Sequence, residues 1–537
     1  MTEYDPLVQP YPSNRFCITA RHGMVSSSSA LASSAGLEVM RRGGNAIDAA
    51  VAAAAALTVT EPTSNGLGSD SFALIWYRDR LYGLNASGYS PKHISLKEVL
   101  NRCPDGRMPK HGWLPVMVPG AVSSWAALTE RFGKLPLKET LAPAIAYAEQ
   151  GYPVSPLLGH LWENCFRDYS RCFGSDPVFA EWFRVFTKDG KPYRFGDMVR
   201  LPDHARTLKL IAETDGRAFY QGEIAEQFIR QSQRDGGCFC LEDLAEYQPE
   251  WVEPISVNYR GYDVWEIPPN GQGITALMAL NILKEFSFEE RNAETFHRQI
   301  EAMKLAFADA KHYISDPSCM TIDYRGLIAA SYGAQRAGEI TEHAAIPACG
   351  IPPKGGTVYL AAADGDGNMV SYIQSNYDGF GSGIVLEGYG TALSNRGSDF
   401  SLKETDINVL RPHKKSYHTI IPGFLTKDGK EVGPFGVMGG YMQPQGHVQT
   451  VMNLTDFHLN PQMALDAPRW QWVRDKSVLL EPGFDPAAAA ELARKGHDIC
   501  FAKDRTGFGR GQIIQRLANG VLVGACESRT DSNIAVF

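Results

Sequence analysis

The sequence predicts a layered α/β body, and three observations predict it. Helical patterns occupy much of the chain as far as Tyr313. A Pro/Gly-rich stretch from Ile346 to Gly356 then interrupts regular structure, since neither helix nor sheet tolerates such a run. Strand-like runs follow it, and helices flanking strand-rich segments call for stacked layers.

In chain order, a first helix is expected from Ser26 to Arg42. Serines open it, Leu31, Ala35 and Val39 recur at helical spacing, and Gly43-Gly44 ends it. An alanine-rich helix from Ala46 to about Thr58 is apolar on every side, which predicts burial all round. The loop Asn65 to Asp70 leads into a strand from Ser71 to Trp76. Further helices are expected at Val122–Arg131, Leu137–Gln150, Arg206–Thr214, Ile224–Gln233, Ile274–Glu285 and Ala293–Tyr313. The loop Pro268 to Gly273 opens one of them, and no internal repeat is present.

With 537 residues and 44% hydrophobic content, the chain can bury a large core. A net charge of −8 and no Lys/Arg block argue against nucleic acid or membrane as partners. The longest apolar run, Ala49 to Val59, is too short to span a bilayer. The first residues carry neither a basic n-region nor an apolar h-region, so a cytoplasmic location is expected. The ten cysteines are scattered, and the nearest pair, Cys238 and Cys240, fits neither a zinc knuckle nor a CxxC redox pair. The 13 histidines form no HExxH set. Asp364, Asp366 and Asn368 lack the glutamate that completes a calcium loop. No metal and no cofactor is therefore expected.

The chemistry concentrates in a hairpin. Thr357 to Ala363 and Met369 to Ser375 are strand candidates on either side of Asp364-Gly365-Asp366-Gly367-Asn368. If the turn centres on Asp366, Thr357 faces Ser375, and directly opposed residues hold their Cβ atoms about 5 Å apart. Two hydroxyls then meet beside the Pro/Gly stretch. Attack of the Thr357 hydroxyl on the Gly356 carbonyl would cut the chain there and free an α-amine. Such an amine titrates near 7.7–8.0. It can then take the hydroxyl proton, the threonine form of nucleophilic catalysis.

The surrounding motifs resemble the γ-glutamyltranspeptidase family over nearly the whole chain. They include Gly43-Gly44-Asn45-Ala46-Ile47-Asp48-Ala49-Ala50, Val118-Pro119-Gly120, the Pro268 to Gly273 loop and Tyr313-Ile314-Ser315-Asp316-Pro317. In the second half they include Thr357, the Asp364 to Asn368 turn, Phe380-Gly381-Ser382-Gly383, Asn395 to Phe400 and Met438-Gly439-Gly440. The resemblance implies a four-layer αββα sandwich of the N-terminal nucleophile hydrolase type. It also implies a precursor cut into residues 1–356 and 357–537 that stay together as a heterodimer, or as a dimer of heterodimers. Thr357 falls at the nucleophile position and Ser375 at that of a supporting threonine. Gly439 and Gly440 match the pair whose backbone N–H groups form the oxyanion hole.

Departures from the family pattern point to the substrate. The arginine that clamps a γ-glutamyl carboxylate is missing from the segment Asn85 to Pro91, and its serine pair is replaced by His418 and Thr419. Asn395 and Asp399 remain, but Arg396 takes an ammonium-binding position, and Tyr377 replaces an asparagine near the nucleophile. An arginine fork welcomes a carboxylate and repels an ammonium. A small acid amide is the expected substrate, with Arg396 and His418 at its acid end, unless Arg396 simply pairs with Asp399. The sequence looks like a divergent branch of the family that includes oxamate hydrolysis and cephalosporin-acylase-like members. Hydrolysis of oxamate to oxalate and ammonia is the leading expectation. A γ-glutamyl hydrolase or transpeptidase, a cephalosporin-acylase-like amidase and an uncut binding protein are the alternatives. The stretch between Asp399 and His418 looks short for a lid, which favours water over an amine acceptor. His447 is expected behind the oxyanion glycines. Asp70 stands where the family has a glycine, and nothing in the sequence explains it.

Overall fold

Alternation along the Val358–Asp364 strand sorts its side chains into two cores. Val358, Leu360 and Ala362 belong to one apolar cluster, and Tyr359, Ala361 and Ala363 to another. A strand buried on both faces has to lie between layers. The computed structural model, which describes residues 15–347 and 357–537, supplies those layers. Gly356 and the stretch from residue 348 lie outside the described residues.

Among the described residues, two antiparallel seven-stranded sheets stack face to face. One runs Asn533–Val536, Gly23–Ser27, Val358–Asp364, Met369–Ser375, Asp70–Tyr77, Arg80–Ala86, Glu250–Val252. The other runs Ile18–Ala20, Leu522–Cys526, Arg510–Arg516, Lys430–Met438, Gly423–Lys427, Tyr262–Glu266, Ile255–Tyr259. Phe72, Leu74 and Ile373 of the first meet Phe424, Met438 and Ile514 of the second in the core between them. Helices Ala30–Arg41, Ala46–Thr60 and Ala121–Phe132 cover the outer face of the first sheet. Gly273–Leu283, Ala293–Tyr313 and Met442–Thr455 cover the second. This is the expected αββα order. No described helix is long and apolar enough to cross a membrane.

The Gly43 to Ala50 motif is structural. Gly43, at φ 104, lets Gly44 N–H turn back to the Val39 carbonyl at 3.1 Å and close the first helix. Asn45 then accepts from Ile47 and Asp48, while the Asp48 carboxylate accepts from Asn45 N–H, a reciprocal cap on the next helix. The Asp364 carboxylate accepts from Ala46 N–H at 2.9 Å and from Asn368 N–H at 3.0 Å. The acidic turn is thus a cap that ties the hairpin to the alanine-rich helix.

Two local expectations need correction. Ser26 and Ser27 belong to the Gly23–Ser27 strand, and the first helix starts at Ala30. Strand pairing on both sides claims those serines before the helical pattern can. The helix expected over Leu137–Gln150 breaks at Leu141, with Pro143 in the first turn of the second piece. The region from Glu250 to Glu266, to which the sequence assigned no element, holds three strands.

Candidate active site

The hairpin register places Thr357, the expected nucleophile. Val358 pairs with Gln374, which continues to set Thr357 against Ser375. Both are fully buried, and their hydroxyl oxygens lie 3.1 Å apart. Ser375 pairs in turn with Asp70 on the next strand. Thr357, Ser375 and Asp70 therefore stand in a row across three strands of one sheet.

Asp70 is the hub of the charged groups. Its Oδ2 accepts from His418 Nε2–H at 3.0 Å and lies 3.5 Å from Arg396 Nε, while Oδ1 accepts from Gly88 N–H at 3.3 Å. The Ile420 N–H meets His418 Nδ1 at 3.4 Å, which fixes the tautomer with its proton on Nε2. Burial, and then the Arg396 charge, pull the His418 pKa down to about 4, so the ring is neutral at pH 7. Both ring nitrogens are engaged within the protein. As placed here His418 anchors Asp70, and its ring presents no free nitrogen for the expected contact with a substrate carboxylate.

Arg396 is 1% exposed. Its Nη1 donates to Thr419 Oγ1 at 2.7 Å and lies 3.8 Å from Asp399 Oδ2, and its guanidinium stacks 4.1 Å from the Tyr377 ring centroid. Arg396 Nη2 and Asp399 Oδ2 have no hydrogen-bond partner among the described residues. Buried polar atoms without partners are costly, so this donor and acceptor are left with unused hydrogen-bonding capacity beside the hairpin. The internal pairing weighed for Arg396 is present in a loose form, with Asp70 rather than Asp399 as the nearer carboxylate.

Tyr377 joins the nucleophile to this charge centre. It holds φ at 77, a region a bulky side chain seldom adopts. Its N–H donates to Ser375 Oγ at 2.8 Å and its hydroxyl to Asp399 Oδ1 at 2.8 Å. Asn395 is occupied elsewhere. Its Nδ2 donates to the Lys110 carbonyl at 3.0 Å and its Oδ1 accepts from Asp378 N–H at 3.1 Å. It shapes the loop, and its side-chain amide is already engaged at both ends within the protein.

Gly439 and Gly440 occupy the join between the Lys430–Met438 strand and the Met442–Thr455 helix, at φ 141 and 59. Positive φ at both makes glycine necessary there. Gln272 Nε2 donates to the Gly440 carbonyl at 2.9 Å and the Thr419 carbonyl at 2.6 Å, so this join is fixed to the His418 segment. Gln443, in the first turn of the helix, reaches Thr357 Oγ1 at 3.5 Å. His447 lies one turn further, its Nδ1 2.6 Å from Glu266 Oε1. Burial drives the Glu266 carboxyl well up and lowers the His447 pKa to about 3, and the pair sits one helical turn beyond the glycines.

Three groups escaped the sequence reading. Asp70 was visible only as a misplaced acid, Gln443 only as part of a polar run, and Lys311 only as a helical lysine. Lys311 hydrogen-bonds Tyr441 and lies 4.0 and 3.9 Å from the Tyr417 and Tyr441 ring centroids. Burial pulls its pKa down to about 8, against the opposing pull of Asp399. Among the described residues, His297, Glu301 and His497 cluster at metal-ligand distances. The Lys304 ammonium already sits 2.7 Å from Glu301.

Comparison with known proteins agrees with this geometry. A family model described as Gamma-glutamyltranspeptidase matches residues 32–537. The chain is 36% identical to the Glutathione hydrolase-like YwrD proenzyme of Bacillus subtilis over 95% of its length and 97% of that protein's. It is 32% identical to the Oxamate amidohydrolase proenzyme of Klebsiella pneumoniae, covering 96% of this chain and 98% of that one. A solved structure of a cephalosporin acylase from Bacillus halodurans superposes with a TM-score of 0.97 at 52% identity, covering 100% of this chain and 99% of that one.

Proposed function

This chain belongs to the γ-glutamyltranspeptidase family, and on that premise we propose that it cuts itself between Gly356 and Thr357 and then hydrolyses a small acid amide, oxamate first among them. The observation that carries the substrate reading is the buried Arg396 guanidinium, whose Nη2 lacks a partner close to the nucleophile hairpin. The Thr357–Ser375 hydroxyl pair supports the nucleophile, and the relatives named as proenzymes support the cut.

In this reading the freed amine of Thr357 takes the Oγ proton as Oγ bonds to the amide carbon. Backbone N–H groups of Gly439 and Gly440 hold the oxyanion, a contribution of about 3–4 kcal/mol per donor in well-studied cases. The C–N bond breaks and the amine passes its proton to the departing ammonia. Water then bonds to the acyl carbon, the C–Oγ bond breaks, and Oγ recovers a proton.

A second reading rests on Asp399. Its unpartnered Oδ2 beside Arg396 suits the ammonium and carboxylate of an amino-acid head, which a γ-glutamyl substrate carries. A cephalosporin amide is the third candidate, from the acylase whose structure superposes. Intact mass under denaturing conditions tests the cut: two chains, the smaller beginning at Thr357, support it, and one uncut chain favours a binding protein of the same fold. Initial rates on oxamate, γ-glutamyl-p-nitroanilide and a cephalosporin amide then rank the substrates. No ammonia from oxamate, with p-nitroaniline released, overturns the first reading in favour of the second.

A further inference from the structure

Gln443 enters no step above, yet its side chain ends at the nucleophile. It is fully buried, with Nε2 3.5 Å from Thr357 Oγ1. Its amide has one possible orientation. The Ile421 backbone N–H reaches Gln443 Oε1 at 3.0 Å, and an N–H is met only by the oxygen end. The NH2 end therefore faces Thr357. An amide NH2 has no lone pair to offer, so it acts on Oγ as a donor alone. Helix geometry holds it there, because Gln443 N–H bonds the Gly440 carbonyl at 3.2 Å in the turn that carries the glycine pair.

We propose that Gln443 is a catalytic residue that donates a hydrogen bond to the Thr357 oxygen when that oxygen carries negative charge, in self-cleavage and in turnover. The inference rests on the threonine-nucleophile reading given above. In self-cleavage Oγ bonds to the Gly356 carbonyl carbon, the C–N bond to Thr357 breaks, and the Oγ proton ends on the freed amine. Water then attacks the ester. Its oxygen bonds to the acyl carbon, the C–Oγ bond breaks with the electron pair on Oγ, and a water proton ends there. Charge on Oγ is greatest as the C–Oγ bond begins to form and as it breaks. A donor already fixed at that oxygen needs no reorganisation when the charge arrives. The hydrogen bond to charged oxygen is also shorter and stronger than to the neutral hydroxyl, so it tightens where it is needed.

The experiment follows self-cleavage by intact mass over time, with no substrate required. Gln443→Glu keeps the length and the acceptor for Ile421 but turns an acceptor toward Thr357. At a pH high enough to ionise this buried carboxyl, cleavage is expected to slow by about 10²-fold, the loss typical of one oxyanion donor, with thermal unfolding close to wild type. As pH falls and the carboxyl protonates, its O–H restores a donor and cleavage recovers. A merely structural role gives no such recovery. If the carboxylate disturbs folding, Gln443→Met, neutral and similar in length, is read in its place and is also expected to cleave slowly. Wild-type cleavage rates in folded Gln443→Met, which has no donor at any pH, overturn the inference alone. An uncut wild-type chain overturns the nucleophile reading and this inference with it.

Discussion

Asp70 Oδ2 lies 3.5 Å from Arg396 Nε, and each side chain is only 1% exposed. The same oxygen accepts from His418, so one carboxylate partly neutralises the guanidinium and orients the imidazole. Arg396 is thus a shared cation, and a substrate carboxylate has to compete with a built-in one.

Replacing Asp70 with Asn leaves Arg396 with Asp399, at 3.8 Å, as its remaining counter-charge in the site. Breaking a buried pair from one side costs about 3 kcal/mol or more. Urea unfolding should show that loss. In whatever fraction folds, KM for an acid amide should fall, because the competing carboxylate is gone. An unchanged unfolding midpoint would show that the pair adds no stability.

Arg396→Gln acts in the opposite direction on binding. A hydrogen bond to a charged group contributes about 1.5–3 kcal/mol, so KM for oxamate should rise about 10- to 100-fold, with a smaller change in kcat. Steady-state kinetics on the processed enzyme decides it, and an unchanged KM removes Arg396 from the substrate contact.

Acid should destabilise the protein through its buried histidines. The folded pKa of His418 is depressed to about 4, below its usual 6.5, chiefly by burial. The unfolded chain therefore binds a proton that the folded site refuses. The stabilisation is complete above pH 6.5 and is lost as pH falls toward 4, roughly 3 kcal/mol for this group. His204, also pulled down to about 4, adds to the same slope. Thermal unfolding between pH 7 and pH 4 should show a falling Tm, with a shallower fall in His418→Gln. Equal slopes would exclude His418 as a contributor.

Ser375→Thr keeps the hydroxyl opposite Thr357, whereas Ser375→Ala removes it and strips Tyr377 N–H of its acceptor. Self-cleavage should persist in the threonine variant and slow about 10-fold in the alanine one, the weight of roughly one hydrogen bond. A time course on denaturing gels separates them. Equal rates would leave Ser375 as packing alone.

The legible part of this site was local. Thr357 and Ser375 could be matched because a two-strand hairpin with a short turn fixes its own register. The glycine pair was legible through the family resemblance alone, and the positive φ of both residues became visible only in the structure. Asp70 could not be placed, because its meaning depends on Asp70–Tyr77 lying beside Met369–Ser375, a pairing between distant segments. The Asp70 partner of His418 was hidden for the same reason: it arrives from another strand. The serines at Ser26 and Ser27 read as a helix start because the sequence does not display the two strands that flank them.

The strand order has a last consequence. Val358–Asp364 lies between Gly23–Ser27 and Met369–Ser375, and Asn533–Val536 closes the edge beyond Gly23–Ser27. Strands from before and after Thr357 therefore interleave within one sheet. Once cut, neither piece owns a complete sheet, and folding becomes a bimolecular event. The intact precursor can find this weave with all its strands tethered. Two severed pieces would have to meet at cellular dilution and thread it anew. The mature protein is then expected to persist through slow unfolding rather than ready refolding, and heat inactivation should be irreversible.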